Sequence, residues 1–314
     1  MRGLNSKQRN SPNGLQEDRL VNSSPPQLVS VIIPAYNAKT TIDVQLSGLA
    51  EQDYAGIFEV IVSDNGSTDG LATHIEQHPL RTKLNLRCID SCAVRGAPFA
   101  RNAGAAAARG EFLAFCDADD RVHTQWLNAL VSAGNIYDSV SGPVEVTTLN
   151  SPKVATWRKV GPRDKQEETG FLPFGLSGNF GIWRKAFDKV GGFDETLKAG
   201  EDVDFSWRLQ LAGLTLGHAP DALIAIRLRD SYSGTWQQAF AYGEAGPRLY
   251  RDYRVYGLRR TKPLLLAVFF IALIVRNPLI PTFITRMSTG QWVYYAAFAA
   301  GRIKGSIRHR IYFL

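Results

Sequence analysis

At 314 residues, 45% hydrophobic and 21% charged, the composition is ordinary for a globular protein and long enough for one large domain with appendages. Three cysteines (Cys88, Cys92 and Cys116), odd in number and without metal-ligand spacing, argue against a disulfide scaffold or a zinc cluster; they read as packing residues in a reducing compartment. The net charge of +7 is segregated: residues 28–247 hold 20 Lys and Arg against 26 Asp and Glu, whereas residues 248–314 hold 12 against a single acid, Asp252.

Residues 1–27, rich in Asn, Ser, Pro and Gln with no apolar segment, read as a disordered leader and not as a secretory signal. The run LVSVIIPAY (28–36) predicts a buried strand, and 41–51 a helix with Ile42, Leu46 and Leu49 on one face. FEVIVSD (58–64) predicts a second strand, 65–70 a loop, 71–77 a helix and LNLRCID (84–90) a third strand. An Ala-rich helix over 98–110, closed by Gly110, leads to a fourth strand at 111–117. This alternation implies βαβ units and an α/β fold: an open, mostly parallel twisted sheet flanked by helices. Such sheets bind ligands beyond the carboxyl ends of their strands. Tyr36 with Asn37, Asp64 with Asn65, Arg95, and Asp117 with Asp119 all fall there.

In AFCDADDRV (114–122), Asp117, Asp119 and Asp120 follow a greasy run. Like charges this close repel and burial raises the cost, so a cation belongs beside them. Asp-x-Asp offers oxygen ligands suited to Mg²⁺ or Mn²⁺ together with substrate phosphates; a charged turn after a strand is the plain alternative. Neither a P-loop, a G-x-G-x-x-G after the first strand, nor a G-x-S-x-G elbow is found. GEDVDFSWRLQLAG (200–213) predicts a helix opening at Glu201 and Asp202. Acids there suit the helix dipole, and a carboxylate so held is also oriented to take a proton from a bound hydroxyl. Residues 151–173 lack periodicity and read either as a mobile loop over the site or as a variable surface loop.

Near the C-terminus, 263–275 is an apolar run of 13 residues between Arg259, Arg260, Lys262 and Arg276. That is short of the ~20 a spanning helix needs. Residues 291–314 mix aromatics with Arg302, Lys304, Arg308 and Arg310, a composition suited to a membrane surface with anionic lipid. A full span and a helical appendix packed on the body are the other readings.

Five segments in order, VSVIIPAYNA, VIVSDNGSTDG, ARNAGAAAARGEFLAFCDADD, GNFGIWRKAFDKVGGFDE and GEDVDFSWRLQLAG, resemble the family 2 glycosyltransferases, inverting enzymes of the GT-A fold, over about residues 28–245. The resemblance implies that Pro34, Ala35 and Tyr36 cradle the nucleotide base with Asp64, and that Arg95 lies against base or phosphate. It implies that Asp117 and Asp119 contact the ribose and, through Mn²⁺ or Mg²⁺, the diphosphate. Gly178 and Asn179 would line the donor and acceptor cleft; Asp202 would be the base, with Glu201 beside it. The implied reaction moves a sugar from a nucleoside-diphosphate sugar to a hydroxyl on a glycan or lipid-linked acceptor. It would serve cell-envelope or lipid-linked glycan synthesis, at the cytoplasmic membrane face and without a nucleic-acid partner. The organisation expected is a leader (1–27), a GT-A catalytic domain (28–247) and a basic, amphipathic helical region (248–314). A membrane-anchored, degenerate glycan-binding or scaffold protein and a nucleotidyltransferase are the alternatives.

Three features qualify the resemblance. Asn65 stands where many relatives carry a second Asp. No clear His occupies the place where some relatives add a metal ligand; His218, before an apparent strand, is the nearest, and Arg227 and Arg229 on one face of that strand contact either diphosphate or solvent. Q-x-x-R-W is absent, which implies transfer of one or a few sugars.

Overall fold

The β-branched runs become the centre of a sheet. A computed structural model describes residues 24–168 and 170–314, so the leader reading lies outside the described residues save for its last four. β1 (Val29–Ala35), α1 (Ile42–Ala50), β2 (Phe58–Asp64), α2 (Leu71–Glu76), β3 (Leu86–Asp90), α3 (Ala97–Ala107) and β4 (Phe112–Cys116) alternate as expected. Then come β5 (Arg121–Val122), α4 (Trp126–Gly134), β6 (Ser139–Ser141), β7 (Val144–Glu145), α5 (Pro152–Ala155), β8 (Glu167–Glu168) and β9 (Pro173–Phe174). β10 (Asn179–Trp183), α6 (Arg184–Val190), α7 (Glu201–Leu211), β11 (Leu216–His218) and β12 (Ile224–Ala225) complete the body. Four helices follow: α8 (Tyr232–Tyr253), α9 (Pro263–Val275), α10 (Thr282–Thr285) and α11 (Thr289–Arg308).

The main sheet runs β11-β6-β10-β4-β1-β2-β3. Val29, Val31, Ile32, Ile33, Val60, Ile61 and Val62 are wholly buried, because helices cover both faces of a parallel sheet. Only β10 runs against its neighbours, pairing antiparallel with both β4 and β6. Its register sets Asn179 opposite Cys116, so the start of β10 meets the end of β4 and Gly178 is carried to Asp117. A second sheet, β5-β12-β7, places the chain after β12 beside the acidic turn that precedes β5.

Four expectations need correction. α3 ends at Ala107 and not at Gly110: the Arg184 guanidinium donates to the carbonyls of Ala105, Ala108 and Gly110 at 2.8–3.0 Å and so closes the helix from a distance. Gly110 is needed because a Cβ there would lie 2.7 Å from Leu28 O and Ser30 N of the passing chain. The strand read across Arg227 and Arg229 is confined to Ile224–Ala225, and both arginines lie beyond it. The domain boundary drawn at 247/248 falls inside α8, and Leu249, Tyr250, Tyr253, Ile311 and Phe313 share an apolar cluster with Trp207 of α7. The start of 151–173 is also anchored, with Trp157 buried against Val146, Val154 and Leu228.

α8 and α11 touch backbone to backbone: a Cβ on Gly243 would lie 2.1 Å from Phe298 O, and one on Gly301 2.1 Å from Phe240 O. α9 differs from every other long helix in burying none of its residues. It rests on α11 through the Trp292 indole, which donates to Leu273 O at 2.8 Å, and leaves Leu264, Ile271 and Ile274 more than half exposed. At 13 residues it is about 20 Å long. Among the described residues no helix is long and apolar enough to cross a membrane.

Candidate active site

The loops after β1 and β2 brace one another. Asn37 Oδ1 accepts the Thr68 N–H at 2.8 Å, Asn37 N–H donates to Ser67 Oγ at 2.8 Å, and Asp64 Oδ1 accepts the Ser67 N–H at 2.9 Å. Pro34, Ala35 and Asp64 are thereby gathered at adjacent strand ends, with Ala35 in register with Asp64. Tyr36 projects from this edge, half exposed, and the Arg95 guanidinium lies over its ring at 4.5 Å. The Asn65 side chain is buried; its amide donates to the Ser91 and Val94 carbonyls while its Oδ1 accepts the Gly96 N–H. An aspartate would turn a carboxylate oxygen toward those two carbonyls, so the amide is what fixes the loop carrying Arg95.

Beyond the ends of β4 and α7 lies a cavity of about 710 Å³, lined by Asp117, Asp119, Asp120, Gly178, Glu201 and Asp202 among others. The acidic triplet divides there. Asp120 is buried, and its Oδ1 accepts the Arg227 N–H at 2.8 Å. Burial, followed by the Asp117 and Asp119 charges, pushes it far above the usual carboxylate range. Asp119 is also raised, by burial and then by Asp117. The repulsion is met in part by arginines. Arg101, 3% exposed, donates to Asp117 Oδ1 at 2.7 Å and to Glu201 Oε1 at 3.0 Å. Arg229 comes within 3.6 Å of Asp119 Oδ2, and Arg227 Nε donates to Asp119 O at 3.1 Å.

Sequence reasoning missed Arg101. The signal was present: with Pro98, Gly104 and Ala105 it lies on the buried face of α3, where a lone arginine needs anionic partners. A Cβ at Gly178 would lie 2.6 Å from Asp117 Oδ2, so glycine keeps that oxygen open to the cleft. Asn179 is corrected: it is wholly buried, accepting the Trp126 indole N–H at 2.8 Å and donating to the Pro143 and Ala222 carbonyls. It fixes the start of β10 and does not line the cavity. His218 is also distant from the acids; its Nε2 lies 2.9 Å from Arg163 O.

Glu201, which opens α7, is committed to Arg101. Asp202 is not: its Oδ1 accepts the Val203 N–H at 2.8 Å, and among the described residues no cation lies within 4.0 Å of it. Burial, then the neighbouring Glu201 charge, pushes its carboxyl up to about 7.

A second titratable cluster, Asp43 with His74 and His78, lines none of this cavity. His78 Nδ1 accepts the Leu80 N–H at 3.2 Å, which leaves the ring proton on Nε2, facing Asp43 Oδ1 at 3.4 Å. His74 Nε2 lies 2.6 Å from the same oxygen, so Asp43 of α1 braces α2 and the turn that follows it.

The sequence and the fold have counterparts among known proteins. The model for "Glycosyl transferase family 2" matches residues 30–191, and that for "Glycosyl transferase family group 2" matches 113–301. Glycosyltransferase AglE of Haloferax volcanii is 33% identical over 199 residues, 62% of this chain and 65% of that protein. Pre-mycofactocin glycosyltransferase of Mycobacterium tuberculosis is 29% identical over 236 residues, 70% of this chain and 47% of that protein. The chain thus spans less than two thirds of the length of either relative. The mannosyltransferase PcManGT from Pyrobaculum calidifontis, solved with GDP-Man and Mn²⁺, superposes at a TM-score of 0.58 with 20% identity, covering 92% of this chain and 91% of that one. S. aureus TarS 1–349 with UDP superposes at 0.50 with 21% identity, covering 91% and 93%. The architecture is the GT-A type, and with a family model matching just over half its length the chain belongs to glycosyl transferase family 2.

Proposed function

We propose that the chain is an inverting glycosyltransferase that moves a sugar from a nucleoside-diphosphate donor to a hydroxyl acceptor, with Asp202 as the base. One observation carries this reading. Of the cavity's carboxylates, Asp117, Asp119 and Glu201 are each paired with an arginine and Asp120 is tied to backbone, whereas Asp202 lines the cavity with no ion-pair partner among the described residues and its pKa is raised to about 7. A base serves best when its pKa lies close to the working pH. Glu201 positions Arg101 instead of taking protons.

Asp117 and Asp119 fit Mn²⁺ or Mg²⁺: both are oxygen ligands, both are partly open to the cleft, and Gly178 leaves Asp117 Oδ2 clear. Bound there, the ion would neutralise charge on a leaving diphosphate. Pro34, Ala35, Asp64 and the Tyr36 ring offer a shelf on which a nucleobase takes the place of Arg95. Relatives solved with GDP-Man and Mn²⁺ or with UDP support the donor class. Thermal shift against a panel of nucleotide sugars, with Mn²⁺, Mg²⁺ or EDTA, is the test. One donor class should stabilise the protein only with metal, and Gly178→Ala should lose that shift while folding normally. A shift that survives EDTA, or an unaffected Gly178→Ala, removes the metal–diphosphate assignment.

We further propose that α9 docks the protein peripherally on a membrane, at its cytoplasmic face, in the synthesis of a lipid-linked or envelope glycan. Support comes from its unburied apolar surface and the flanking Arg259, Arg260, Lys262 and Arg276. Removing the whole C-terminal region would strip Ile311 and Phe313 from the core, so the variant of choice replaces Leu264, Ile271 and Ile274 by Asn. That triple variant should lose flotation with anionic vesicles; equal flotation would refute the docking.

A further inference from the structure

The cavity has a second pole. Besides the acids, it is lined by Arg158, Arg259, Arg260, Lys262 and Arg302, and among the described residues no carboxylate lies within 4.0 Å of any of the five. Arg302 is the most confined. The close α8–α11 crossing carries it into the cavity wall, its guanidinium lies over the Phe313 ring at 4.5 Å, and its buried Nε has no hydrogen-bond partner. Burial lowers its affinity for the proton, with no acid nearby to offset that. Arg260 is steered to the same wall by the Tyr250 hydroxyl, which accepts from its Nε at 3.0 Å. An unpaired arginine partly withdrawn from water is costly, and an anion supplied by a ligand offsets that cost.

This pole is not built for the donor diphosphate, whose charge belongs at the Asp117–Asp119 end. Its surroundings are apolar: Leu249, Leu258, Phe298 and Leu265 share the wall, and Leu265 already belongs to α9. The same cavity thus holds Asp202, a cluster of cations without carboxylate partners among the described residues, and Leu265 at the foot of the exposed apolar helix. Resting on the glycosyl transfer proposed above, we infer that the acceptor is a phosphate-bearing lipid. Arg302, with Arg260 and Lys262, holds its phosphate, its chain leaves along α9, and its reacting hydroxyl reaches Asp202. The chemistry of the ligand follows from that of the lining: a hydroxyl for Asp202, an anion for the cations and a hydrocarbon for the apolar wall.

Decyl phosphate, decanol and inorganic phosphate are the probes, titrated below micelle-forming concentrations into the full chain by calorimetry. EDTA is included so that the metal-free acidic end repels phosphate. Wild type should bind decyl phosphate about tenfold or more tightly than either decanol or inorganic phosphate. Arg302→Gln should lose about tenfold or more of that affinity, and Arg302→Lys should recover part of it. Inorganic phosphate matching decyl phosphate would mean a simple anion site and overturn the lipid assignment. Decanol matching decyl phosphate, or Arg302→Gln binding like wild type, would overturn the anion subsite. The probe comparison on wild type decides the matter even if a variant folds poorly. GDP and UDP binding with Mn²⁺, measured on the same samples, reports on the donor site separately: if it holds while decyl phosphate is not preferred, only the acceptor inference falls.

Discussion

Replacing Asp202 by Asn is expected to cut sugar transfer by about 10²–10⁴-fold, leave nucleotide binding unchanged, and make the metal-free protein more stable at pH 8. The amide keeps an oxygen for the Val203 N–H, so the head of α7 is preserved while the proton acceptor is lost. The stability gain follows from the raised carboxyl. Below the ordinary aspartate value of about 4 the group is protonated whether the chain is folded or not, and it contributes nothing. Between there and about 7 the unfolded chain releases the proton that the folded one retains, so wild-type stability falls as pH rises, and the penalty is complete above about 7. Asn carries no such penalty. Its advantage should be near zero at pH 4 and grow to on the order of 4 kcal/mol at pH 8, read as the shift in urea midpoint. An Asn variant that still transfers sugar is not missing its base. One whose stability parallels wild type from pH 4 to 8 shows that Asp202 is not held neutral by burial.

What could be read in the chain divides by the range of the interactions involved. β1, β2 and β4 were legible because strands buried on both faces of a parallel sheet appear as continuous apolar runs, a local property. The acidic triplet and the head of α7 were legible because charges beside apolar runs demand an explanation. The stop of α3 was misplaced because Arg184, 74 residues beyond Gly110, makes it, and no local pattern carries that bond. Asn179 looked like a ligand for the same reason: only the antiparallel insertion of β10 between β4 and β6 turns its amide onto Trp126, Pro143 and Ala222. The boundary at 247 followed a change in charge, and charge does not interrupt a helix whose apolar face continues through Leu249, Tyr250 and Tyr253. The cavity's cationic pole was invisible because its members come from three separate segments, around Arg158, Arg259–Lys262 and Arg302, that share no motif.

Arg101→Met is expected to destabilise the protein more than any other single change in the cleft, by about 3–5 kcal/mol, and to abolish activity. Arg101 is bonded at once to the Asp-x-Asp turn and to the head of α7, so its loss leaves Asp117 and Glu201 confronting each other with Asp119, Asp120 and Asp202 in the same cavity. Methionine fills much of the volume, which separates the electrostatic effect from that of a cavity. Two signatures should then appear. The defect should be far larger at pH 8 than at pH 5, because carboxylates already raised by burial can shed their charge by protonation in acid. Saturating Mn²⁺ should recover part of the loss at pH 8, since a cation bound by the folded state alone replaces some of the missing positive charge. Arg101→Lys should fall between, its single ammonium reaching one carboxylate where the guanidinium fork spans two. A defect equal at both pH values and indifferent to Mn²⁺ would mean that Arg101 matters for packing, and that the acids of the cleft do not depend on one another.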